Sequence, residues 1–373
     1  MKKQHAWLCT AVFCAFLLGV TLFLFLLPKQ DYSQREKRYL AAAPVVSWSG
    51  LLDGSVQTQL EDWMADQFPG RDGWVGLNAY WNLATGRNAQ QDFYHAKDGY
   101  LIAAPAGQDL TNYKKTLQRF DSFAASCGVP ASMVLVPSTG WLKEDLLPMG
   151  HEPYPDDAMF DLAGELENLT VYDFCQDLLQ ADIQEPVAYR TDHHLTSWGN
   201  YTLYASWREA RGLPYLDPGD YAVETSEGFC GTAWSGSGYW LTEPDDLELW
   251  DSGVRVDVTI TDGGEAPVSG DSLFFRSHLE ELDQYPVFLD GNHCQVEISN
   301  PDAPEGSILL IKDSYAHCFA TFLAEHYRKV YMLDLRYYRG SISDFIARNA
   351  VDEVLFLYGT STLLTDTNSA WLF

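Results

Sequence analysis

The sequence predicts an α/β fold, a doubly wound parallel sheet with helices on both faces. Short runs that are apolar almost throughout, at Ser132–Val136, Ile308–Ile311, Val330–Leu333 and Glu353–Tyr358, have the length and composition of buried strands. Between them lie stretches with apolar residues at helix spacing, such as Leu110, Tyr113, Leu117, Phe120 and Ala124. Strand and helix patterns in alternation imply parallel strands joined by crossover helices. The composition permits such a core: of 373 residues, 46% are hydrophobic and 14% aromatic, which excludes a disordered chain.

Residues 7–27 carry no charge and are long enough to span a bilayer. Lys2 and Lys3 precede them, as in a signal peptide or signal anchor, and no small-x-small site follows directly, so an uncleaved anchor is expected. The expected division is a cytoplasmic tail at 1–6, a transmembrane anchor at 7–27, a linker at 28–50 and one extracytoplasmic domain at 51–373. Lys29, Arg35, Lys37 and Arg38 follow the span, so charge alone does not set the orientation. The short tail and long C-terminal body favour the outside. Within Leu51–Gly86 two helical patterns are separated by Phe68–Arg71. Leu60, Trp63 and Met64 share a face of the first, and Trp74, Leu77, Trp81 and Leu83 stock the second. Both stripes are expected to face a core.

Further along, Pro137 and Ser138 end the first strand. A helix is expected near Ala158–Glu167, strands at Thr170–Tyr172 and Val187–Tyr189, and a helix at Ser197–Arg211 with Thr196 as N-cap. Residues 215–285 break the rhythm and read as a β-rich insertion, with a β-type run at Val254–Ile260. The alternation returns at Ile308, followed by a helical pattern in Phe319, Phe322, Leu323 and Tyr327 and a helix at Ser341–Asn349.

The charge balance is strongly acidic, 52 Asp and Glu against 24 Lys and Arg, a net charge of -28. Nucleic acids and other polyanions bind through basic surface, so neither is expected as a partner; a neutral or cationic glycan is easier to accommodate. Cys9 and Cys14 lie in the apolar span. Cys127, Cys175, Cys230, Cys294 and Cys318 are an odd set without a CxxC pair, so neither a disulfide framework nor a zinc site is indicated.

Two stretches carry chemistry. Asp313-Ser314-Tyr315 breaks the apolar run Ile308–Ile311 just before a helical pattern. A serine there sits at the carboxyl end of the sheet, where open α/β folds bind ligands, and beside backbone N–H groups suited to an oxyanion. Ser314 is therefore a candidate nucleophile, although Asp313 and Ser314 would also serve as helix caps. A hydroxyl needs a base, usually His, oriented by a carboxylate. Asp192 and His194 supply that pair: two apart in an extended turn, they fall on one side of the backbone, with His193 expected to point the other way. The plainer alternative is a cap and a surface pair of histidines. A metal centre would need further Asp and His at ligand spacing, and no metal or cofactor is expected. Gly291 and Asn292 are candidate oxyanion donors, with a simple hairpin turn as the alternative. Tyr315 and Arg190 are candidate substrate-orienting groups.

Together, Thr191–Gly199 (TDHHLTSWG) and Leu309–Phe319 (LLIKDSYAHCF) resemble the DHHW family of bacterial cell-envelope proteins. These are relatives of the AlgX/AlgJ-like alginate O-acetylation proteins and, more distantly, of SGNH hydrolases. Further family-like markers occur in order at Ser33–Pro44, Asp66–Trp74, His95–Ile102, Val136–Pro148, Phe229–Trp234 and Phe288–His293. The resemblance implies an SGNH hydrolase-like fold, with the family's DxH pair on Asp192 and His194 and its serine on Ser314. It also implies acetyl transfer to an extracellular polysaccharide through an acetyl-serine, and a membrane-bound O-acyltransferase as partner. A polysaccharide O-acetyl esterase, or a non-catalytic glycan- or partner-binding envelope protein, are the alternatives. Two positions depart from the family: Leu195 stands where it has Trp, and Lys312 where related proteins have Gly before Asp-Ser.

Overall fold

The computed structural model describes residues 2–264 and 266–373, which form two compact units. One runs to Gln90 and includes Ser235–Trp240; the other comprises Gln91–Trp234 and Leu241–Phe373.

The first unit is helical: α1 (Lys2–Leu26), α2 (Trp48–Asp53), α3 (Ser55–Asp66) and α4 (Arg71–Ala84). Its 20-residue stretch Trp7–Leu26 is long and apolar enough to cross a membrane. Ser47 caps α2 by accepting from the Gly50 N–H. Gly54, at φ 87°, joins α2 to α3 in a left-handed conformation that glycine adopts without strain. The stripes predicted to be core are not core. Leu60, Met64, Trp74, Leu77 and Trp81 are exposed, and α3 and α4 each bury one residue, Val56 and Ala79. Helical periodicity identifies a shared face but not what covers it.

The second unit begins with a hairpin, β1 (Phe93–His95) and β2 (Leu101–Ala103). There follow α5 (Thr111–Ser126), β3 (Ala131–Val136), α6 (Asp156–Gly164), β4 (Thr170–Tyr172), α7 (Cys175–Asp182) and α8 (Ser197–Ala210). Thr196 caps α8 as expected, accepting from the Gly199 N–H. Next come β5 (Ala222–Phe229), β6 (Asp245–Asp251), β7 (Asp257–Thr261), β8 (Val268–Gly270), β9 (Gln295–Ser299) and β10 (Glu305–Lys312). The chain closes with α9 (Ala316–Leu323), β11 (Tyr327–Leu333), α10 (Ile342–Asn349), β12 (Glu353–Gly359) and α11 (Thr360–Thr365).

The main sheet has eight strands in the order β8-β7-β9-β11-β10-β12-β3-β4. From β11 to β4 every pairing is parallel; β8, β7 and β9 extend the sheet in antiparallel fashion. The expectation of a wholly parallel sheet is corrected at that edge. The β content expected over 215–285 is divided: β5 and β6 pair as a separate hairpin, while β7 and β8 join the main sheet. Alternation along each central strand feeds two cores. Ile308 and Leu310 of β10 pack in one with Tyr204, Trp207 and Phe319 of α8 and α9; Leu309 and Ile311 pack in the other with Phe120 of α5 and Phe345 of α10.

Two local expectations fail. Val187–Tyr189 forms no strand, only a single bridge between Ala188 and Leu195. Tyr327 opens β11 and does not continue α9, which stops at Leu323.

Candidate active site

Strand β10 carries its apolar run through the middle of the sheet and delivers Asp313-Ser314-Tyr315 at its carboxyl end. The turn is fastened to the neighbouring strand. The buried Asp313 carboxylate accepts from the Tyr315 N–H (3.0 Å) and, across to β12, from the Gly359 N–H (2.9 Å). Burial pushes this carboxyl above its usual range, against the pull of those N–H donors. Gly359 has no room for a side chain: a Cβ there would stand 2.4 Å from the Tyr315 ring. Tyr315 occupies the N-cap position of α9 without a side-chain cap, so Ser314 is not its cap.

Ser314 Oγ lies 2.8 Å from Nε2 of His194, and His194 Nδ1 lies 2.5 Å from Asp192 Oδ1. The spacing of two does what the sequence suggested. Asp192 Oδ1 also accepts from the His194 backbone N–H (2.9 Å), which locks carboxylate and imidazole on one side of the turn. The second carboxylate oxygen is taken by Thr232, through its N–H (2.6 Å) and its hydroxyl (2.9 Å). Asp192 is 1% and His194 4% exposed, so the carboxylate is held by donors in a dry setting. With Nδ1 protonated towards Asp192, Nε2 is an acceptor for the Ser314 hydroxyl.

Three neighbours escaped sequence reasoning. Thr232 is one, and Gly231 before it is another: a Cβ at Gly231 would lie 2.2 Å from the Asp192 Cβ. Gly231 thus permits the close approach that lets Thr232 reach Asp192. The FCGTAW motif was the available signal. The third is Tyr285, whose ring lies flat on His194, centroids 3.8 Å apart and planes 8° apart. No motif announced it. His193 does not point away as expected. Its ring centroid is 3.9 Å from that of His194, and its Nδ1 is 2.6 Å from the Thr232 hydroxyl.

Lys312 turns away from Ser314. It is fully buried, with Nζ 2.7 Å from His317 Nε2 and 3.3 Å from Asp334 Oδ2. Arg336 clasps Asp334 from the other side (2.6 Å). Burial pulls the Lys312 ammonium below its usual range, and burial together with the Lys312 charge does the same to His317. Leu195, the other departure, is a buried core residue.

Tyr315 donates its hydroxyl to the His193 carbonyl (2.8 Å), tying the serine turn to the histidine turn. Arg190 is paired with Asp245 (3.4 Å) and donates to the Pro244 carbonyl (3.1 Å). Gly291 sits in a turn at φ 82°, and the exposed Asn292 accepts from Arg336 (2.8 Å); neither is hydrogen-bonded to Ser314 or His194. Two hollows flank the 188–196 segment. One is an apolar cavity of about 210 Å³ lined by Ile102, Ala104, Tyr154, Met159, His193 and Tyr315. The other is a cleft of about 640 Å³ whose lining includes the polar side chains of Tyr100, Lys143, Asp182, Arg190 and Asp245. Ser314 lines neither. Asp192, His193 and His194 bring ligand-type atoms within 4.8 Å of one another. The Asp192 carboxylate, both His194 ring nitrogens and His193 Nδ1 are all engaged in the hydrogen bonds described above.

The second unit is thus a mixed α/β body with a serine, a histidine and an aspartate in hydrogen-bonded sequence at the end of its central strand. The DHHW resemblance holds: residues 166–333, which include all three side chains, match the family model described as DHHW protein. The fold is shared with a DHHW family protein from Eubacterium siraeum DSM 15702, at 24% identity over 74% of this chain and 94% of that one, with a TM-score of 0.64. It is shared also with Bacillus cereus PatB1, solved with a sulfonyl adduct, at 18% identity over 74% of this chain and 96% of that one, TM-score 0.63. The O-acetyltransferase domain of Pseudomonas putida AlgJ aligns more loosely, at 15% identity over 74% of this chain and 92% of that domain, TM-score 0.45. No curated protein matches the sequence.

Proposed function

We propose that this chain is a membrane-anchored, extracytoplasmic O-acetyltransferase that acts on a cell-surface polysaccharide through Ser314, His194 and Asp192. The observation that carries the reading is the hydrogen-bond chain from Ser314 Oγ through His194 to Asp192. His194 Nε2 takes the hydroxyl proton as Oγ attacks the acetyl carbonyl of the donor. Asp192, its second oxygen held by Thr232, stabilises the imidazolium that forms. The Ser314 backbone N–H has no acceptor among the described residues and is available to the developing oxyanion. The donor's leaving group departs with the proton, leaving acetyl-Ser314. A sugar hydroxyl then gives its proton to His194 and attacks the acetyl carbon, and Ser314 is released as the alcohol.

The acetyl group, the polysaccharide and a membrane-bound O-acyltransferase as supplier of acetyl come from the DHHW resemblance. The sulfonyl adduct of PatB1 supports a nucleophile on this fold, since sulfonylation requires one. Helix α1 is the proposed anchor. Arg190, Gly291 and Asn292 have intramolecular partners or turn positions of their own and are assigned no step.

The test is turnover of a chromogenic acetyl ester by the full chain, with and without an oligosaccharide acceptor, beside Ser314→Ala. Serine-dependent release with acetylated oligosaccharide among the products is expected. Release without acetylated sugar would make the protein an esterase, and equal turnover by Ser314→Ala would remove the serine from the mechanism.

A further inference from the structure

The helices of the first unit carry an apolar surface that the fold does not use. Trp48 and Leu52 of α2 are 85% and 89% exposed. On α4, Trp74, Leu77 and Trp81, spaced three and four apart, form one exposed stripe, with Trp81 at 65%. Leu60 and Met64 of α3 are exposed on either side of Trp63. A soluble surface seldom shows so much contiguous-sequence aromatic area without a partner.

The position of α3 suggests which partner. Helix α1 has 25 residues, about 37 Å at 1.5 Å per residue, against a hydrocarbon core of about 30 Å. Its C-terminal end therefore reaches a bilayer boundary. There Phe25 meets Trp63 of α3, with ring centroids 6.4 Å apart, and the Lys29 ammonium lies 5.1 Å over the same ring. Gln30 and Gln67 close the join with a reciprocal pair, the Gln30 N–H to Oε1 (3.2 Å) and the Gln67 amide to the Gln30 carbonyl (2.8 Å). The apolar stripe of α3 is thus continuous with the end of the apolar helix. Tryptophan with a lysine beside it is the composition favoured at the headgroup level. Charge agrees. Residues 28–90 hold six basic and seven acidic residues, nearly neutral, in a chain whose net charge is -28. This part of the sequence is therefore little repelled by a lipid surface.

We propose that α2, α3 and α4 form an interfacial layer that lies in the headgroup boundary of the bilayer, with Trp48, Leu52, Trp74, Leu77 and Trp81 as its lipid-facing anchors. The layer is an interfacial helical surface of modest hydrophobicity and no basic excess, so it fits a zwitterionic membrane. The inference rests on α1 crossing the membrane.

The full chain, reconstituted in phosphatidylcholine vesicles with bromine on the upper part of the acyl chains, gives the test. Tryptophan emission is compared with that in unbrominated vesicles for the wild type, Trp74→Phe, Trp81→Phe and Trp371→Phe. Loss of part of the bromine-quenchable emission in Trp74→Phe and in Trp81→Phe, and none in Trp371→Phe, is expected. A chain that does not float with the vesicles overturns the anchor and the layer together. A chain that floats with quenching unchanged in Trp74→Phe and Trp81→Phe overturns the layer alone. Shielding of both residues from bromine and from aqueous acrylamide also overturns it, in favour of a protein partner.

Discussion

The Tyr285 ring lies parallel to the His194 imidazole, its centroid 3.8 Å away, and is itself buried, with no hydrogen-bond partner for its hydroxyl among the described residues. An electron-rich face against an imidazole that becomes cationic in the proposed reaction is a cation–π contact, worth about 0.5–2 kcal/mol in a desolvated site. It also bars rotation of the ring away from Ser314. Tyr285→Phe is expected to keep turnover within a few-fold, since it keeps the face and removes a hydroxyl with no hydrogen-bond partner among the described residues. Tyr285→Leu is expected to lower kcat by roughly 3- to 30-fold with little change in KM. Steady-state kinetics of the two variants decide it, and equal losses would rule out the ring face as the cause.

Gly231→Ala is expected to abolish most activity while the protein stays folded. The added Cβ would stand 2.2 Å from the Asp192 Cβ, so Asp192 or the 231–232 segment must shift. Either movement breaks the paired bonds from Thr232. Thr232→Val, which removes the hydroxyl and keeps the backbone donor, is expected to cost less. Circular dichroism and turnover on both variants separate misfolding from misplacement.

The buried Lys312 and Asp334 and the part-exposed Arg336 form a charge cluster in which the two cations share one carboxylate. Removing the shared partner leaves buried charge uncompensated, so Asp334→Ala is expected to cost about 3–5 kcal/mol in urea unfolding. Lys312→Met leaves Asp334 its three side-chain contacts and one backbone contact from Arg336 and is expected to cost no more than about 2 kcal/mol, with turnover retained because Nζ faces His317 and not Ser314. A larger loss of activity than of stability in Lys312→Met would mean that this departure from the family reaches the nucleophile.

Glu325 and His326 set up opposed pH dependences. Burial holds the Glu325 carboxyl at about 7, up from 4.5, so the folded state keeps a proton that the unfolded chain releases. That stability is full below about pH 4.5 and is lost as pH rises to 7. Burial holds His326 at about 4, down from 6.5, so its contribution is full above about pH 6.5 and is lost as pH falls towards 4. Between the two ordinary values the opposed effects cancel, and this pair leaves stability flat. Glu325→Gln is expected to expose the histidine term, with stability falling by up to about 1.4 kcal/mol per pH unit from 6.5 downward. Urea midpoints at pH 4.5, 5.5 and 6.5 check this; a variant profile parallel to the wild type would contradict it.

The positions of Ser314 after the strand and of Asp192 beside His194 were legible because each depends on local spacing. A serine that interrupts an apolar run before a helix has few places to go, and a D-x-H turn brings two side chains to one side. The parallel strands were legible for the same reason: runs such as Ile308–Ile311 must be buried on both faces. Thr232 and Tyr285 were not, because they arrive from segments 40 and 91 residues beyond Asp192 and His194, where only tertiary packing brings them together. The antiparallel edge was missed because Asp257–Thr261 and Gln295–Ser299 alternate polar and apolar residues and so resemble any half-exposed strand. The stripes of α3 and α4 have the period of core helices, and nothing in a period says that the opposite surface is missing.

The central claim is that Ser314 becomes acylated with His194 as its base. The most direct measurement is the mass of the peptide containing Ser314 after the protein is mixed with an activated acetyl ester and quenched in acid. An added acetyl group on Ser314 in the wild type, absent in Ser314→Ala and nearly absent in His194→Ala, is what the site geometry predicts. An acetyl group on another residue, or equal labelling of Ser314 without His194, would contradict it.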